Sequence, residues 1–341
     1  MRVLFAGSPA IAVPVFETLC ALSSRNADGG TKIEIAGVLT NPDTPKGRHA
    51  SPLPTEVGAS AEAFLRQLSE QGRAFPLLKP LKLDAPIREQ VSTLKPDLLV
   101  SFAYGKIFGP KFLALFPLGG INFHPSLLPK YRGPSPIQAA ILNRDLETGI
   151  SVQKLALEMD SGNIIAQERF QLTLRETTGS LSEIMAQKAA AMLGEALDKI
   201  AAGNGEGTAQ NHSEASYCKL ICREDALINW SRSAAEIEAM VRAFNPWPLC
   251  RTIHKGRELF ILKADVQKDA VQSRGGSVPG KVPVGKVQPG LVLDIDKKDG
   301  ILVQTGEGIL SVTELQYQGK KALFWRDFLN GARDFSGAQL G

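Results

Sequence analysis

Residues 1–16 read MRVLFAGSPAIAVPVF. Val3 to Ala6 is a short apolar run of strand length, Gly7 and Pro9 end it, and a helical pattern begins at about Ala10. The same letters imitate a secretory leader, with Arg2, an apolar stretch and the small-x-small triplet Ala10-Ile11-Ala12. Gly7, Pro9 and Pro14 interrupt that stretch, so the segment is read as strand, turn and helix. A strand that feeds a helix at the very start of a chain is the opening of an open α/β sheet.

The pattern continues outward. Arg2 to Ala6, Ile33 to Leu39, Asp97 to Phe102 and Gly119 to Phe123 read as strands, alternating with helical patterns at Val13 to Leu22, Thr55 to Gln71 and Ala85 to Leu94. Such alternation predicts parallel strands joined by right-handed crossovers. Gly149 to Leu155 and Asn163 to Leu172 flank a polar turn and are expected to pair antiparallel; Ser180 to Ala201 closes the region as a helix. After Gly203 to Thr208, GNGEGT, the composition changes to short β-like runs punctuated by Gly and Pro: Arg251 to His254, Leu259 to Ala264, Gly290 to Asp294, Gly300 to Gln304 and Gly308 to Val312. Helical patterns at Ala234 to Phe244 and Trp325 to Leu329 bracket them. The expected fold class is α/β, an open and mostly parallel Rossmann-like sheet, followed by a small C-terminal β-barrel of OB-like kind. The expected division is a first domain over residues 1–202, a linker over 203–216 and the barrel domain over 217–341.

Composition bounds the function. The 341 residues are 43% hydrophobic and 22% charged, which suits globular domains and not a disordered chain. No run approaches the roughly 18 apolar residues that span a bilayer. Four scattered cysteines (Cys20, Cys218, Cys222, Cys250) read as reduced thiols of a cytosolic protein. The net charge of +4 is too small to attract nucleic acid in bulk, so any polyanion has to be met locally. Gln267 to Gly290 carries Lys268, Arg274, Lys281 and Lys286 against Asp269 alone and reads as a basic surface loop.

Two polar clusters stand out. Gly7 lacks the glycine partners of a dinucleotide fingerprint, which disfavours nicotinamide binding. The segment INFHPSLLPKYRG, Ile121 to Gly133, directly follows a strand, and open α/β sheets bind ligands beyond the carboxyl ends of their strands. Alternation points Asn122 and His124 the same way, opposite to Ile121 and Phe123. The turn Met159 to Gly162, MDSG, is placed to bring Asp160 against His124. His212, Cys218 and Cys222 lack the spacing and the fourth ligand of a metal site, so no metal is expected. Trp230 and Trp247 read as packing anchors.

SLLPKYRG at Ser126 to Gly133, preceded by Asn122 and His124 and followed by MDSG, resembles the signature of the 10-formyltetrahydrofolate-dependent formyltransferase family. The likeness spans nearly the whole chain: FAGSPA at the start, Asn41 to Arg48, AYG at Ala103 to Gly105, Pro136 to Ile141, ETG at Glu147 to Gly149, and RAFNPWP at Arg242 to Pro248. It is fullest to the branch whose acceptor is the amino group of methionine on charged initiator tRNA. The resemblance implies a catalytic set at Asn122, His124 and Asp160. It also implies a 10-formyltetrahydrofolate cosubstrate lying along Ser126, Leu127, Leu128 and Pro129 with the pterin near Ala103, Tyr104 and Gly105. By the same resemblance the loop Asn41 to Pro54, with Lys46 and Arg48, meets the tRNA; Lys281 and Lys286 of the basic loop are expected to add phosphate contacts. Two features depart from the family pattern. His49, Ala50 and Ser51 stand where lysines often follow the arginine, and the stretch from Ser24 to Thr31 is long.

The chemistry agrees with that set. In formyl transfer a neutral amine attacks a formyl carbon, and the carbonyl oxygen gains negative charge that needs donors. Asn122 and an imidazolium at His124 are expected to supply them, each such donor being worth about 3 to 4 kcal/mol, with Asp160 orienting the ring or relaying a proton. The alternatives on the same trio are an amino sugar nucleotide as acceptor or water in a formyl-folate hydrolase; a noncatalytic RNA-binding protein is disfavoured by the intact trio. The absence of an Arg-rich and Ser-rich leader favours a bacterial cytoplasm; a monomer with no membrane partner is also expected.

Overall fold

The structure, a computed structural model, describes residues 1–24, 31–45, 51–70, 72–267, 288–332 and 334–341. They form two compact units: Met1–Pro136 with Glu147–Gln171 and Leu181–Lys219, and Ile137–Leu146 with Leu172–Ser180 and Leu220–Gly341.

The first unit holds nine strands: β1 (Arg2–Gly7), β2 (Glu34–Leu39), β3 (Thr44–Pro45), β4 (Pro52–Leu53), β5 (Leu77–Leu78), β6 (Leu98–Phe102), β7 (Gly120–His124), β8 (Glu147–Lys154) and β9 (Ile164–Gln171). Seven make one sheet in the order β5-β2-β1-β6-β7-β8-β9; β3 and β4 pair with each other. The strands β5, β2, β1, β6 and β7 run parallel, and β8 and β9 are antiparallel additions, as the alternation and the late pair of runs predict. Val3, Leu4, Phe5 and Ala6 are fully buried, which explains why β1 reads as a continuous apolar run: a central parallel strand is covered on both faces. Each large side chain buried this way contributes about 1.5 to 3 kcal/mol. It also places the leader-like stretch at the centre of the sheet.

Ala10–Ala12 forms a 3-10 turn before the helix Val13–Ser24, whose buried Val15, Phe16, Leu19 and Cys20 lie on one face. Helix Glu56–Ser69 starts where the Thr55 side chain accepts the Gly58 N–H, and helix Ala85–Thr93 starts where Asp84 accepts that of Ile87. The chain passes from β1 to one side for β2 and β5, then to the other for β6 and β7, so the order reverses between β1 and β6. Ligand crevices form at such a reversal.

The second unit carries β10 (Cys250–His254), β11 (Arg257–Val266), β12 (Val292–Asp296), β13 (Gly300–Gln304), β14 (Ile309–Tyr317) and β15 (Leu323–Phe324), in the order β10-β11-β14-β13-β12 with β15 on β14. All the ladders are antiparallel. The C-terminal residues join the two ends of that path. Val292 donates to the Ala338 carbonyl, Leu340 to that of Gly290, and Gly341 to that of Ile253 on β10. Helix Ala234–Ala243 opens with a reciprocal cap between Ser233 and Glu236. Trp230 is buried and donates to Thr252 Oγ1 at 3.0 Å, as an anchor would. Trp247 is not an anchor: it is 58% exposed. It lies in a tight loop closed by the Leu249 N–H, which donates to the Phe244 carbonyl.

Candidate active site

Strand β7 carries Asn122 and His124 on one face, and its antiparallel partner β8 sets Gln153 opposite Asn122 and Ser151 opposite His124. All four side chains therefore share that face. The turn that joins β8 to β9 brings Asp160 back over it, with His124 Nδ1 at 3.5 Å from Asp160 Oδ1. His124 and Asp160 are thus brought together as the sequence spacing suggested.

Asp160 is held from several sides. The Gly133 N–H donates to Oδ2 at 2.8 Å, and Gln153 Nε2 donates to Oδ1 at 2.8 Å. The residue itself adopts φ +52°, a backbone region that side chains other than glycine rarely adopt. Two glycines make the approach possible. A Cβ at Gly133 (φ +113°) would lie 2.4 Å from the Cys218 carbonyl oxygen, and one at Gly162 would lie 1.9 Å from that of Lys154.

His124 is 4% exposed. Its Nε2 lies 2.8 Å from the Tyr131 carbonyl oxygen. A carbonyl only accepts, so this contact places a ring proton on Nε2, and Nδ1 faces Asp160. Burial lowers the His124 pKa below the usual value, against the opposing pull of the Asp160 charge and the Tyr131 carbonyl. Asn122 is half-buried, and none of the described residues bonds its side-chain amide.

The loop expected along the folate is tightly tied. The carbonyls of Ser126, Leu127, Leu128 and Pro129 accept from Ser151 Oγ (2.7 Å), Lys130 N (3.0 Å), Gln167 Nε2 (3.1 Å) and Ser216 N (3.3 Å). The N–H groups of Ser126 and Leu128 donate to the His124 carbonyl and to Ser151 Oγ. Within this loop the Leu127 N–H has no partner among the described residues. On the neighbouring strand end, Ala103 (φ +50°) and Gly105 (φ +79°) are exposed while Tyr104 between them is buried. Tyr104 starts a row of rings, Tyr104–Phe108–Phe112–Phe116, with centroids 5.4 to 5.6 Å apart, and Asn41 Nδ2 donates to its carbonyl at 3.0 Å. Its buried hydroxyl has no hydrogen-bond partner, and burial pushes its pKa up to about 12.

Lys46, Arg48, Lys281 and Lys286 lie outside the described residues. Among the described residues no group of three or more His, Cys, Asp or Glu could hold a metal ion. Cys218 Sγ faces the Arg132 carbonyl, and Cys222 belongs with Asp225 in the cap of a 3-10 turn. Sequence reading missed Arg132, Gln153 and Gln210. Gln153 sat unnoticed in an apolar run, although its alternation with Ser151 was visible. Gln210 fell within the stretch expected to be a linker, yet it is buried, and Thr208 beside it exchanges both backbone hydrogen bonds with Ile164.

A family model described as formyl transferase matches residues 1–197, and one described as formyl transferase, C-terminal domain, matches residues 220–333. The methionyl-tRNA formyltransferase of Treponema denticola is 42% identical over 337 residues, 98% of each chain. That of Treponema pallidum is 43% identical over 344 residues, covering 100% of this chain and 99% of the relative. Among solved structures, an N-formyltransferase of Helicobacter canadensis in complex with folinic acid and dTDP-3-aminofucose has a TM-score of 0.61 at 18% identity, covering 93% of this chain and 99% of that one. HypX of Aquifex aeolicus in complex with tetrahydrofolic acid has a TM-score of 0.58 at 16% identity, covering 98% of this chain and 48% of that one. These two likenesses concern the fold.

Proposed function

The chain belongs to the formyltransferase family, in its methionyl-tRNA branch, and from that premise we propose that Asn122, His124 and Asp160 carry its reaction. The enzyme transfers the formyl group of 10-formyltetrahydrofolate to the amino group of methionine on charged initiator tRNA, the step that readies it for translation initiation. Full-length relatives at 38 to 43% identity are named for the tRNA reaction, whereas the aminosugar-bound structure shares only the fold at 18%. This favours tRNA over an amino sugar nucleotide as acceptor.

The observation that carries the site reading is the buried His124 ring with Nδ1 3.5 Å from Asp160 Oδ1. As the amine nitrogen bonds to the formyl carbon, the C=O electron pair moves onto oxygen, and Asn122 donates to that oxygen from its uncommitted amide. The proton shed by the amine goes to Nδ1, where Asp160 stabilises the imidazolium that forms. The α-amino group has a pKa near 8, so about a tenth of it is already neutral at pH 7 and a base as weak as His124 suffices. When the oxygen lone pair restores C=O, the bond to the folate nitrogen breaks and the imidazolium returns the proton to that nitrogen.

Folate contacts are assigned to Ala103, Tyr104, Gly105 and Ser126 to Pro129. The free Leu127 N–H and the exposed turn at 103 to 105 lie at the ends of adjacent strands and suit the edge of a flat heteroaromatic. The tight loop at 126 to 129 limits backbone pairing there to Leu127. Phosphate contacts with tRNA are assigned to Lys46, Arg48, Lys281 and Lys286, and the working form is a cytoplasmic monomer. None of the described helices is long and apolar enough to cross a membrane.

Formylation of charged initiator tRNA by Asp160→Asn tests the assignment. A loss of at least about 100-fold in kcat from a folded protein is expected; turnover near wild type refutes it. For the tRNA contacts, log affinity is expected to fall linearly with log salt, and more shallowly in Lys281→Ala/Lys286→Ala, since each lost phosphate contact removes about one unit of slope. An unchanged slope removes those two lysines from the interface.

A further inference from the structure

We propose that Arg132 and Gln210 are positioning residues for formyl transfer: together they form a clamp behind Asp160 that fixes where its carboxylate meets His124. The inference rests on the assignment of Asp160 above. Gln210 Nε2 donates to the main-chain carbonyls of Asp160 (2.9 Å) and Gly162 (2.7 Å), and so grips the turn on both sides of Ser161. Gln210 Oε1 in turn accepts two bonds from the guanidinium of Arg132, from Nε at 3.1 Å and Nη2 at 2.7 Å.

The direction of this chain is set by Arg132. A guanidinium has donors only, so the amide of Gln210 must turn its oxygen to Arg132 and its NH2 to the Asp160 turn. The two carbonyls that accept from Nε2 require the same orientation. The same NH2 lies 3.4 Å from Gln153 Oε1, and Gln153 Nε2 donates to Asp160 Oδ1, the oxygen that faces His124. Arg132 therefore orients two successive amides that end on the reacting carboxylate.

Arg132 is placed unusually for a residue that only supports the fold. It is 1% exposed, and a buried cation is costly unless it is paired. Yet among the described residues its side chain meets no carboxylate. Its remaining contacts are Tyr217 OH at 3.2 Å and His212 Nδ1 at 3.4 Å. The positive charge is thus directed through the Gln210 amide toward the turn that carries Asp160. That turn needs holding: Asp160 is itself in the left-handed region, and displacement of a reacting group by about 1 Å costs on the order of 100-fold in rate.

The test uses the full-length enzyme and initial rates on charged initiator tRNA, with kcat and both KM values measured for wild type, Gln210→Glu, Asp160→Asn and the double variant. Gln210→Glu keeps the acceptor for Arg132 but removes the donors to the turn. The expected result is a kcat lowered by about 10- to 100-fold with both KM values within about twofold. On the Asp160→Asn background the same change should cost nothing further, because the clamp acts through Asp160. Gln210→Glu at the wild-type kcat, or a full multiplicative loss in the double variant, overturns the clamp while leaving Asp160 in its role. Asp160→Asn at the wild-type rate overturns the site assignment and the clamp with it. Should Gln210→Glu fail to fold, Arg132→Lys, which keeps a buried donor but loses the two-pronged grip, is read against the same double-variant criterion.

Discussion

Two histidines, one in each unit, are equally buried and differently employed. His124 and His254 are both 4% exposed, and burial lowers the pKa of each. His124 has a carbonyl at one ring nitrogen and a carboxylate near the other. His254 Nδ1 meets Tyr317 OH at 2.6 Å, and its Nε2 is buried without a partner. Around it stand Phe335, edge-on with centroids 4.7 Å apart, and Tyr317, while Lys255 and Arg257 oppose its protonation and Asp334 favours it. The difference teaches that burial alone does not mark a reacting histidine. A ring that must take and return a proton needs an anion ready for the charged form. A ring that fills a core needs only shape and one hydrogen bond.

That contrast is open to experiment. The largest effect is expected from His124→Ala, a loss of about 10²- to 10⁴-fold in kcat, with His254→Ala near the wild-type rate per folded molecule. Comparable losses in both would erase the distinction. Asn122→Ala should follow with a loss of about 10²- to 10³-fold, the cost of one oxyanion donor; an effect confined to KM would place Asn122 in binding instead. His254→Ala should lower stability by about 1 to 3 kcal/mol in denaturant titration, the range of ordinary core substitutions, while His124→Ala changes rate more than stability.

The smallest effect concerns pH. Unfolded histidines titrate near 6.5, and both folded values are lower, so between those values the unfolded chain binds more protons. The stabilisation is therefore complete above about pH 6.5 and is lost as pH falls below it toward the folded values. Unfolding free energies measured between pH 7.5 and 5 should fall, less steeply in His254→Gln. A flat profile would contradict the lowering of both folded values by burial.

Much of this was legible in one dimension. Alternation alone put Asn122 and His124 on a common face, the strand-helix rhythm announced the parallel sheet, and the polar turn between two late runs held Asp160. What periodicity lacks is register. Gln153 became visible as a tether only when β8 was seen to oppose β7 with Asn122 across from it. Gln210 was hidden because GNGEGT and its neighbours look like a connector, yet their backbone pairs with Ile164 and carries the side chain inward.

The order of residues by itself determined where the chain turns, which faces are apolar, and which polar groups stand at the carboxyl ends of strands, because these follow from local geometry and hydrophobic spacing. Folding in three dimensions decided the ring's burial, the carboxylate's tethers and the buried guanidinium behind them. Those depend on groups up to 85 residues apart, as Arg132 and Tyr217 are, and on water being excluded from the space between them.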